Sequence, residues 1–448
     1  MASTGRLKVQ VLKSDSLAPI EQAKVTVTKV PEPGEQTKQA QISTNISGET
    51  NEIELPAPPI ENSMKPSSNL PYSLYDIKIE QPGYKPLIIK GVQIFPEELA
   101  IQNSNLQKTN TGVTRQGEQI ITIDPNRLVG NYPPKIPENP EKPLPPPPSG
   151  FVVLPEPVVP EFVVVHQGLP DDPSAPNYTV KFNDYIKNVA SSEIFSTWPE
   201  TTIRANVYCI LSFTLNRIYT EWYRGKGKNF DVTSSTAYDH AFMYGRNIYK
   251  SISVVVDEIF STYIRRFGAK QPLLTQYCDG VKVQCPGWLT QWGSKYLGDD
   301  GKAPYEILTN FYGTDIELVR ANKVSGIPKS YPGYTLGIGS SGAPVRTVQS
   351  YLNRIADNFP AIPKVKVDGI YGEGTGKAVK VFQQVFNLPM TGTVDYSTWY
   401  KISDIYVGVT KIAELRNDTR GLKRTFIPHT PYKNVYDIPK VEYIDDEE

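Results

Sequence analysis

Two stretches, LGIGSSGAPVRTVQSYLNRI (336–355) and VDGIYGEGTGKAVKVFQQVFNLPMTGTVDYSTWYKI (367–402), decide the fold of one part of this 448-residue chain. Apolar residues recur in both at steps of three and four, which places them on one face of a helix. They are Val345, Val348, Leu352 and Ile355 in the first helix, and Ala378, Phe382, Val385 and Phe386 in the second. Asp368-Gly369 and Tyr371-Gly372 supply turns between the two helices. The spacing predicts a small helical domain over residues 335–410.

The same stretches closely resemble the peptidoglycan-binding type 1 family, a three-helix module. The matching positions are Gly339, Gly342, Val345, Gln349, Leu352, Asp368, Gly369, Gly372, Thr375, Ala378, Val379, Phe382, Gln383, Gly392, Thr398 and Trp399. Thr391 and Asp395 depart from the family pattern, which has Asp and Gly there. The resemblance implies that this domain binds peptidoglycan.

Residues 1–130 have the pattern of short β-strands. Apolar residues alternate at Leu7, Val9 and Val11, and the alternation returns in later runs that end at turns such as Gln81-Pro82-Gly83. This pattern favours a β-sandwich. The stretches PIEQAKVTVT (19–28) and YDIKIEQPGYKPLIIKGVQI (75–94) resemble the carboxypeptidase regulatory-like, or transthyretin-like, sandwich.

Residues 131–160 are predicted to be a linker, because 12 prolines lie between positions 133 and 160. Proline fixes φ and lacks an N–H donor, so we expect an extended segment that forms neither sheet nor helix. Such a segment is open to proteases. It is interpreted either as a spacer between domains or as a site where the N-terminal domain is cut away.

The central region, residues 161–330, mixes helix and strand signals. Ile203, Val207, Ile210, Leu211 and Leu215 predict a helix that starts after Pro199 and stops at Gly225 and Gly227. The runs VVVDEIF (254–260) and LLTQY (273–277) look like strands, and YEILTNFYG (305–313) looks like a helix. Together with its flanking domains, this region makes the chain a multidomain α+β protein.

Three stretches of the central region resemble the SpoIID family of lytic transglycosylases, in family order. They are NVASSEIFSTWPETTIRANVYCILSFTLNR (188–217), FDVTSSTAYDHAFMYG (230–245) and GWLTQWGSKYLGDDGKAPYEILTNFYGTDIEL (287–318). The resemblance implies that Glu193 is the catalytic carboxylate. A single acid would protonate the glycosidic oxygen and then accept the proton of the muramic acid C6 hydroxyl, which attacks C1 and leaves a 1,6-anhydro end.

The resemblance also implies residues that bind the substrate. Gln291 matches the Gln of the family's S-Q-x-G motif and is expected to bind sugar or orient Glu193. Tyr277 falls where the family has a tyrosine in its cleft, and Tyr238 and His240 fall in its central segment, where His240 is expected to be a hydrogen-bonded cleft or core histidine. Trp292 offers a ring for stacking on a sugar, with burial in a core as the alternative. Some members hold a metal ion in the central segment, but no cysteine lies near His240, so we carry no metal over.

The whole arrangement resembles the precursor form of the clostridial-type spore cortex-lytic enzymes. It implies a zymogen that acts on cortex peptidoglycan in the spore after subtilisin-like germination proteases cut within Phe151, Val152, Val153 and Leu154. Residues 1–130 would then be a pro-domain that blocks the cleft or assists folding, and 411–448 an acidic tail. Two alternatives stay open: a muramidase that uses water with Asp239 or Asp279 as its second carboxylate, and a non-catalytic wall-binding protein.

Composition excludes several other classes. Lys plus Arg and Asp plus Glu both number 47, which argues against a nucleic-acid partner. No signal peptide or run of about 18 apolar residues is present, so neither a secretory leader nor a membrane span is expected. The three cysteines cannot form a disulfide framework, although Cys278 and Cys285 are able to pair. No histidine lies in a zinc-type spacing, and we expect neither a metal nor another cofactor.

Overall fold

The computed structural model describes residues 3–31, 38–109, 117–139 and 156–418. The expected activation region, Phe151 to Leu154, lies outside these residues, and so does the predicted tail beyond position 418. Within the described part, several sheets and eight helices form a multidomain α+β protein.

The N-terminal region consists of strands, as its alternating pattern predicts. They are β1 (Ser3–Lys13), β2 (Lys24–Lys29), β3 (Gln39–Ser43), β4 (Ile53–Ala57), β5 (Ser73–Glu80), β6 (Leu87–Ile94), β7 (Leu99–Leu106) and β8 (Gln119–Thr122). One sheet has the order β3-β2-β5-β6-β8, and β1 lies between β4 and β7 in the other. Val9 and Val11 of one sheet and Ile77 and Ile79 of the other are fully buried in a common core.

The central region contains ten short strands and five helices. They are β9 (Val158–Val159), β10 (Phe162–His166), β11 (Asn177–Lys181), α1 (Phe182–Glu193), α2 (Glu200–Tyr219), β12 (Val232–Thr233), β13 (Ile248–Tyr249), α3 (Lys250–Ile259), β14 (Thr262–Arg266), β15 (Tyr277–Cys278), β16 (Leu289–Thr290), α4 (Gln291–Asp299), α5 (Pro304–Tyr312), β17 (Ile316–Arg320) and β18 (Lys323–Val324). The predicted helix over YEILTNFYG is confirmed as α5.

The strand prediction for VVVDEIF is wrong, because residues 254–259 belong to helix α3 and Phe260 caps its end. Ile252, Val255, Val256 and Ile259 are buried at helical spacing, so packing of one helix face overrides the strand preference of the β-branched residues. The strand prediction for LLTQY is also largely wrong, since only Tyr277 enters a strand.

One predicted helix end is also wrong, and part of a segment that is predicted to stay unpaired forms a short strand. Helix α2 ends at Tyr219, before the predicted stop at Gly225, because Glu221 adopts a left-handed φ of 47° and turns the chain away first. Val158 and Val159 pair with Lys323 and Val324, although they lie in the proline-rich segment. Valine, unlike proline, keeps the backbone N–H that pairing in a sheet requires.

The N-terminal sandwich and the central region share one hydrophobic core. Strand β13 pairs with β7 and extends the four-stranded sheet, whose order is β13-β7-β1-β4. Phe95 of the sandwich contacts Tyr249 and Phe195 of the central region, at ring-centroid distances of 5.2 and 5.4 Å. The central region is therefore packed against the N-terminal sheet.

The last three helices form a separate core, as the sequence predicts. They are α6 (Ala343–Ala356), α7 (Glu373–Val385) and α8 (Tyr396–Asp418). Val345, Val348, Leu352 and Ile355 are all buried in this core. Helix α8 continues past the predicted boundary at residue 410.

Candidate functional site

Glu193 is the last residue of helix α1, and its side chain is only 1% exposed. The Ala241 N–H donates to its Oε1 at 2.7 Å, and Gln291 Nε2 donates to its Oε2 at 3.1 Å. Gln291 Nε2 also lies 3.1 Å from the Glu193 carbonyl oxygen, so one amide holds both the backbone and the side chain. Ala241 and Gln291 thus fix the carboxylate in one orientation, and they lie in two of the sequence stretches quoted above, 230–245 and 287–318.

A guanidinium that sequence reasoning missed lies beside this carboxylate. Arg127 Nε is 3.5 Å from Glu193 Oε2, and Arg127 Nη1 donates to Gln291 Oε1 at 3.2 Å. The Arg127 side chain is only 3% exposed, so the ion pair is shielded from water. Arg127 follows the last strand of the sandwich, in a turn-rich segment without periodicity. Nothing in the sequence marks it as a site residue.

The segment that carries Arg127 also caps helix α1. The last carbonyls of a helix lack partners within the helix. Here the Arg127 N–H donates to Ser192 O at 2.8 Å, and the Asn126 amide donates to Ser191 O at 3.2 Å and Ile194 O at 3.0 Å. The N-terminal region therefore fixes the end of the helix that presents Glu193.

Residues 131–139, called the strap below, continue across the central region without forming helix or sheet. The Ile136 N–H donates to Ala237 O at 2.7 Å, and Gln276 Nε2 donates to Ile136 O at 2.8 Å. Gln276 Oε1 accepts from the Glu138 N–H at 2.8 Å. The strap is thus bound through its backbone, as a peptide ligand would be.

Two charged strap side chains reach into the central region. Lys135 Nζ donates to the Asp239 carbonyl and lies 4.8 and 4.9 Å from the ring centroids of Phe213 and Tyr277. Burial lowers the pKa of Lys135 to about 7. Glu138 forms a bidentate pair with Arg217, at 2.6 and 3.0 Å.

The structure brings His240 and Tyr277 together beside the strap. Their rings stack at a centroid distance of 5.8 Å, and the Tyr185 hydroxyl lies 3.0 Å from His240 Nδ1. Burial keeps the pKa of His240 well below its ordinary value and the pKa of Tyr277 well above its own, so both are neutral near pH 7. Within the described residues, His240 Nε2 and the Tyr277 hydroxyl have no hydrogen-bond partner.

The other predicted binding residues have different surroundings. Trp292 is buried against Trp198 and Phe195, at centroid distances of 5.0 and 5.9 Å, so its ring belongs to the core in this form of the chain. Tyr238 is half-buried, and its carbonyl accepts from Arg217 Nη2 at 3.1 Å. Of the predicted set, Gln291 contacts Glu193 directly.

Cys278 and Cys285 form a disulfide, which settles the pairing that the sequence left open. Asp279 Oδ1 accepts hydrogen bonds from the Val281 and Val283 N–H groups inside the loop that the disulfide closes. Lys282 in the same loop donates to the Val129 and Gly130 carbonyls at 2.8 and 2.9 Å. The disulfide loop therefore holds the segment between Arg127 and the strap.

Asp239 is fully buried, and both its carboxylate oxygens are occupied. Oδ1 pairs with Arg217 Nε at 2.7 Å, and Oδ2 accepts from the Tyr223 hydroxyl and from the N–H and hydroxyl of Thr233. Among the described residues, no three His, Cys, Asp or Glu side chains come together as ligands for a metal ion.

In the three-helix domain, two buried glutamines hold the turns. Gln349 Nε2 donates to Asp368 Oδ1, Ile370 O and Thr375 Oγ1, while its Oε1 accepts from the Gly369 N–H at 2.8 Å. Gln383 repeats the arrangement one helix later. Its partners are Thr391 Oγ1, Thr393 O, Thr398 Oγ1 and the Gly392 N–H. These motif positions therefore stabilise the fold of the domain.

We expect Gln383→Leu to lower the stability of the three-helix domain by about 2 kcal/mol, because buried groups such as the Gly392 N–H lose their partner. Thermal unfolding of the full chain measures this as an earlier transition of that domain. Gln384→Leu changes the neighbouring, exposed glutamine and is the matched control. Equal transition temperatures for the two variants would contradict the assigned role of Gln383.

The comparisons with known proteins bear on this domain. The family model described as "Putative peptidoglycan binding domain" matches residues 341–402. No curated protein is significantly similar to the chain. In the part that the structure describes, every helix is too short or too polar to cross a bilayer.

Solved structures resemble the chain only weakly. The Bacillus anthracis TIE protein is 20% identical over 24% of this chain and 17% of its own, with a TM-score of 0.17. Catechol 1,2-dioxygenase of Acinetobacter radioresistens is 15% identical over 27% of this chain and 58% of its own, with a TM-score of 0.18. 3-Chlorocatechol 1,2-dioxygenase of Rhodococcus opacus 1CP is 13% identical over 24% of this chain and 62% of its own, with a TM-score of 0.17.

The chain spans less than two thirds of each of these proteins, and TM-scores this low establish neither fold nor function. The domain match is therefore the informative comparison. The chain contains a peptidoglycan-binding type 1 domain at residues 341–402, which fits a peptidoglycan partner and indicates a protein that interacts with the cell wall.

Proposed function

We propose that the chain is the precursor of a spore cortex-lytic enzyme. Its central region would be a SpoIID-like lytic transglycosylase that cleaves the glycan strands of cortex peptidoglycan, and proteolysis by subtilisin-like germination proteases would remove the N-terminal sandwich and the strap. The observation that carries the proposal is the pairing of buried Glu193 with Arg127 from the segment that would be removed. The peptidoglycan-binding domain supports the choice of substrate.

The surroundings of Glu193 suit a single acid–base group. The Ala241 N–H and the Gln291 amide fix both carboxylate oxygens, so the group would meet the glycosidic oxygen in one orientation. As an acid it would protonate the leaving oxygen, and as a carboxylate it would then accept the proton of the muramic acid C6 hydroxyl. The products are a strand with a 1,6-anhydro end and a strand with a free hydroxyl, and no water is consumed.

The muramidase alternative has less support. A glycosidase that uses water needs a second carboxylate about 5 to 10 Å from the acid. Both Asp239 oxygens are occupied by Arg217, Tyr223 and Thr233, and Asp279 is bonded inside the disulfide loop. The non-catalytic alternative expects Glu193 to face solvent, whereas its side chain is 1% exposed.

Cleavage of the chain between residues 140 and 155 tests the proposal. A recognition site for a specific protease, introduced there, gives a chain that is nicked at will. We expect purified cortex to release fragments with 1,6-anhydro mass at least about 10-fold faster with the nicked chain, because general-acid catalysis requires access to Glu193. Fragments without the anhydro mass would refute the transglycosylase, and full activity of the intact chain would refute the zymogen.

A further inference from the structure

The strap occupies a groove whose partners are those of a peptide-binding site. Its backbone is bound by the Ala237 carbonyl and by both ends of the Gln276 amide. These contacts recognise the backbone peptide groups of a ligand rather than a particular side chain. If residues 1–139 leave after a cut, the same partners become free for another peptide.

One end of the groove offers an ammonium group two aromatic faces and a carbonyl oxygen. Lys135 Nζ lies over the faces of Phe213 and Tyr277 and donates to the Asp239 carbonyl. Burial is the largest effect and opposes the ammonium there, as do the charges of Arg127 and Arg217, while the charges of Glu193 and Asp239 favour it. Arg127 would leave together with the strap, so the opened site would favour a cation more strongly than the closed one does.

The other end is built for a carboxylate. Arg217 binds both Glu138 oxygens through Nη1 and Nη2, which is the strongest geometry for this pair. Asp239 holds Arg217 through Nε, and the Tyr238 carbonyl accepts from Nη2. The guanidinium is therefore kept in place without Glu138.

Further polar groups lie beside the ammonium position and are unused by the strap. His240 Nε2 and the Tyr277 hydroxyl are fully buried, and neither makes a hydrogen bond within the described residues. Buried polar atoms are normally satisfied. A ligand that replaces the strap can therefore form hydrogen bonds with these two atoms.

We propose that this groove binds the stem peptide of peptidoglycan, and that the strap stands in for it in the precursor. A stem peptide with a diamino acid carries both a side-chain ammonium and free carboxylates, which would replace those of Lys135 and Glu138. It is attached to the glycan strand, so a groove that adjoins Glu193 is where it would lie. The inference rests on the proposed function, because the groove opens only when the N-terminal segment leaves.

The test uses the full chain, nicked between residues 140 and 155, and the tripeptide N-acetyl-L-alanyl-γ-D-glutamyl-meso-diaminopimelate, whose one free amine is that of diaminopimelate. We expect the tripeptide to displace the strap, whose end is free after the cut, and to bind the nicked chain, as measured by ligand-observed NMR. The intact chain should not bind it. Acetylating the diaminopimelate amine should weaken binding at least about 10-fold, because the aromatic faces then lose the cation.

Gln276→Ala should also weaken binding of the tripeptide to the nicked chain, since this amide holds the ligand backbone. Gln384→Ala, an exposed glutamine on helix α7, is the matched control and should bind as the unsubstituted chain does. Equal affinity for tripeptides with a free and an acetylated diaminopimelate amine would overturn the inference. So would displacement of the strap by a glycan oligosaccharide without stem peptides when the tripeptide has no effect.

The two proposals fail separately. A nicked chain that yields 1,6-anhydro fragments but does not bind the tripeptide overturns the stem-peptide groove and leaves the transglycosylase standing. A nicked chain that binds the tripeptide but yields no such fragments supports the groove and overturns the transglycosylase.

Discussion

Glu193→Gln in the nicked chain is expected to reduce the rate of glycan-strand cleavage by at least about 10³-fold. The same carboxyl group has to donate a proton and then accept one, and an amide does neither, so the loss should reach the upper range for general acid–base catalysis. The measurement is the rate at which fragments with 1,6-anhydro mass leave purified cortex. More than a tenth of the original rate would exclude Glu193 as the catalytic group.

The substitution is expected to leave the fold intact. The new amide oxygen still accepts from the Ala241 N–H, and the Gln291 amide stays bonded to the carbonyl oxygen of residue 193, so one hydrogen bond is lost. Glu258→Gln is the matched control, because it makes the same change on helix α3 at a half-exposed position. Both variants should keep their binding to insoluble peptidoglycan, since residues 341–402 have a core of their own.

The features that the sequence predicts well depend on local periodicity. Val345, Val348, Leu352 and Ile355 mark a helix because a stripe every three or four residues has one explanation in a small domain. At VVVDEIF the three consecutive valines suggest a strand. The buried apolar residues from Ile252 to Ile259 are instead spaced by three or four positions, which forms one face of a helix. A strand preference of individual residues is weaker than the burial of a helix face.

Long-range contacts explain why only part of the site was predictable. Sequence motifs identify Glu193 and Gln291, and the two side chains lie within hydrogen-bond distance. Arg127 and Lys135 reach the same place from a segment with no motif and no period. Their role depends on the path of the chain across the central region, which no local pattern records. A charged residue in a proline-rich segment ordinarily indicates a solvated linker.

Arg127→Ala is expected to destabilise the intact chain by about 3 kcal/mol. The change leaves the buried Glu193 carboxylate without its guanidinium and Gln291 Oε1 without its donor. Removing one partner of a buried ion pair costs about 3–5 kcal/mol, because the remaining charge stays desolvated. Thermal unfolding should show this as a fall of several degrees in the transition of the shared core.

A matched substitution and a double variant separate this effect from loss of side-chain packing. Arg6→Ala removes an exposed ion pair with Glu52 from the same sandwich and should cost about 1 kcal/mol or less. Adding Glu193→Gln to Arg127→Ala removes the stranded charge, so the pair of substitutions should be less destabilising than the sum of the two single ones. Additive effects would mean that Arg127 contributes packing alone and that no charge interaction holds the strap segment against the candidate site.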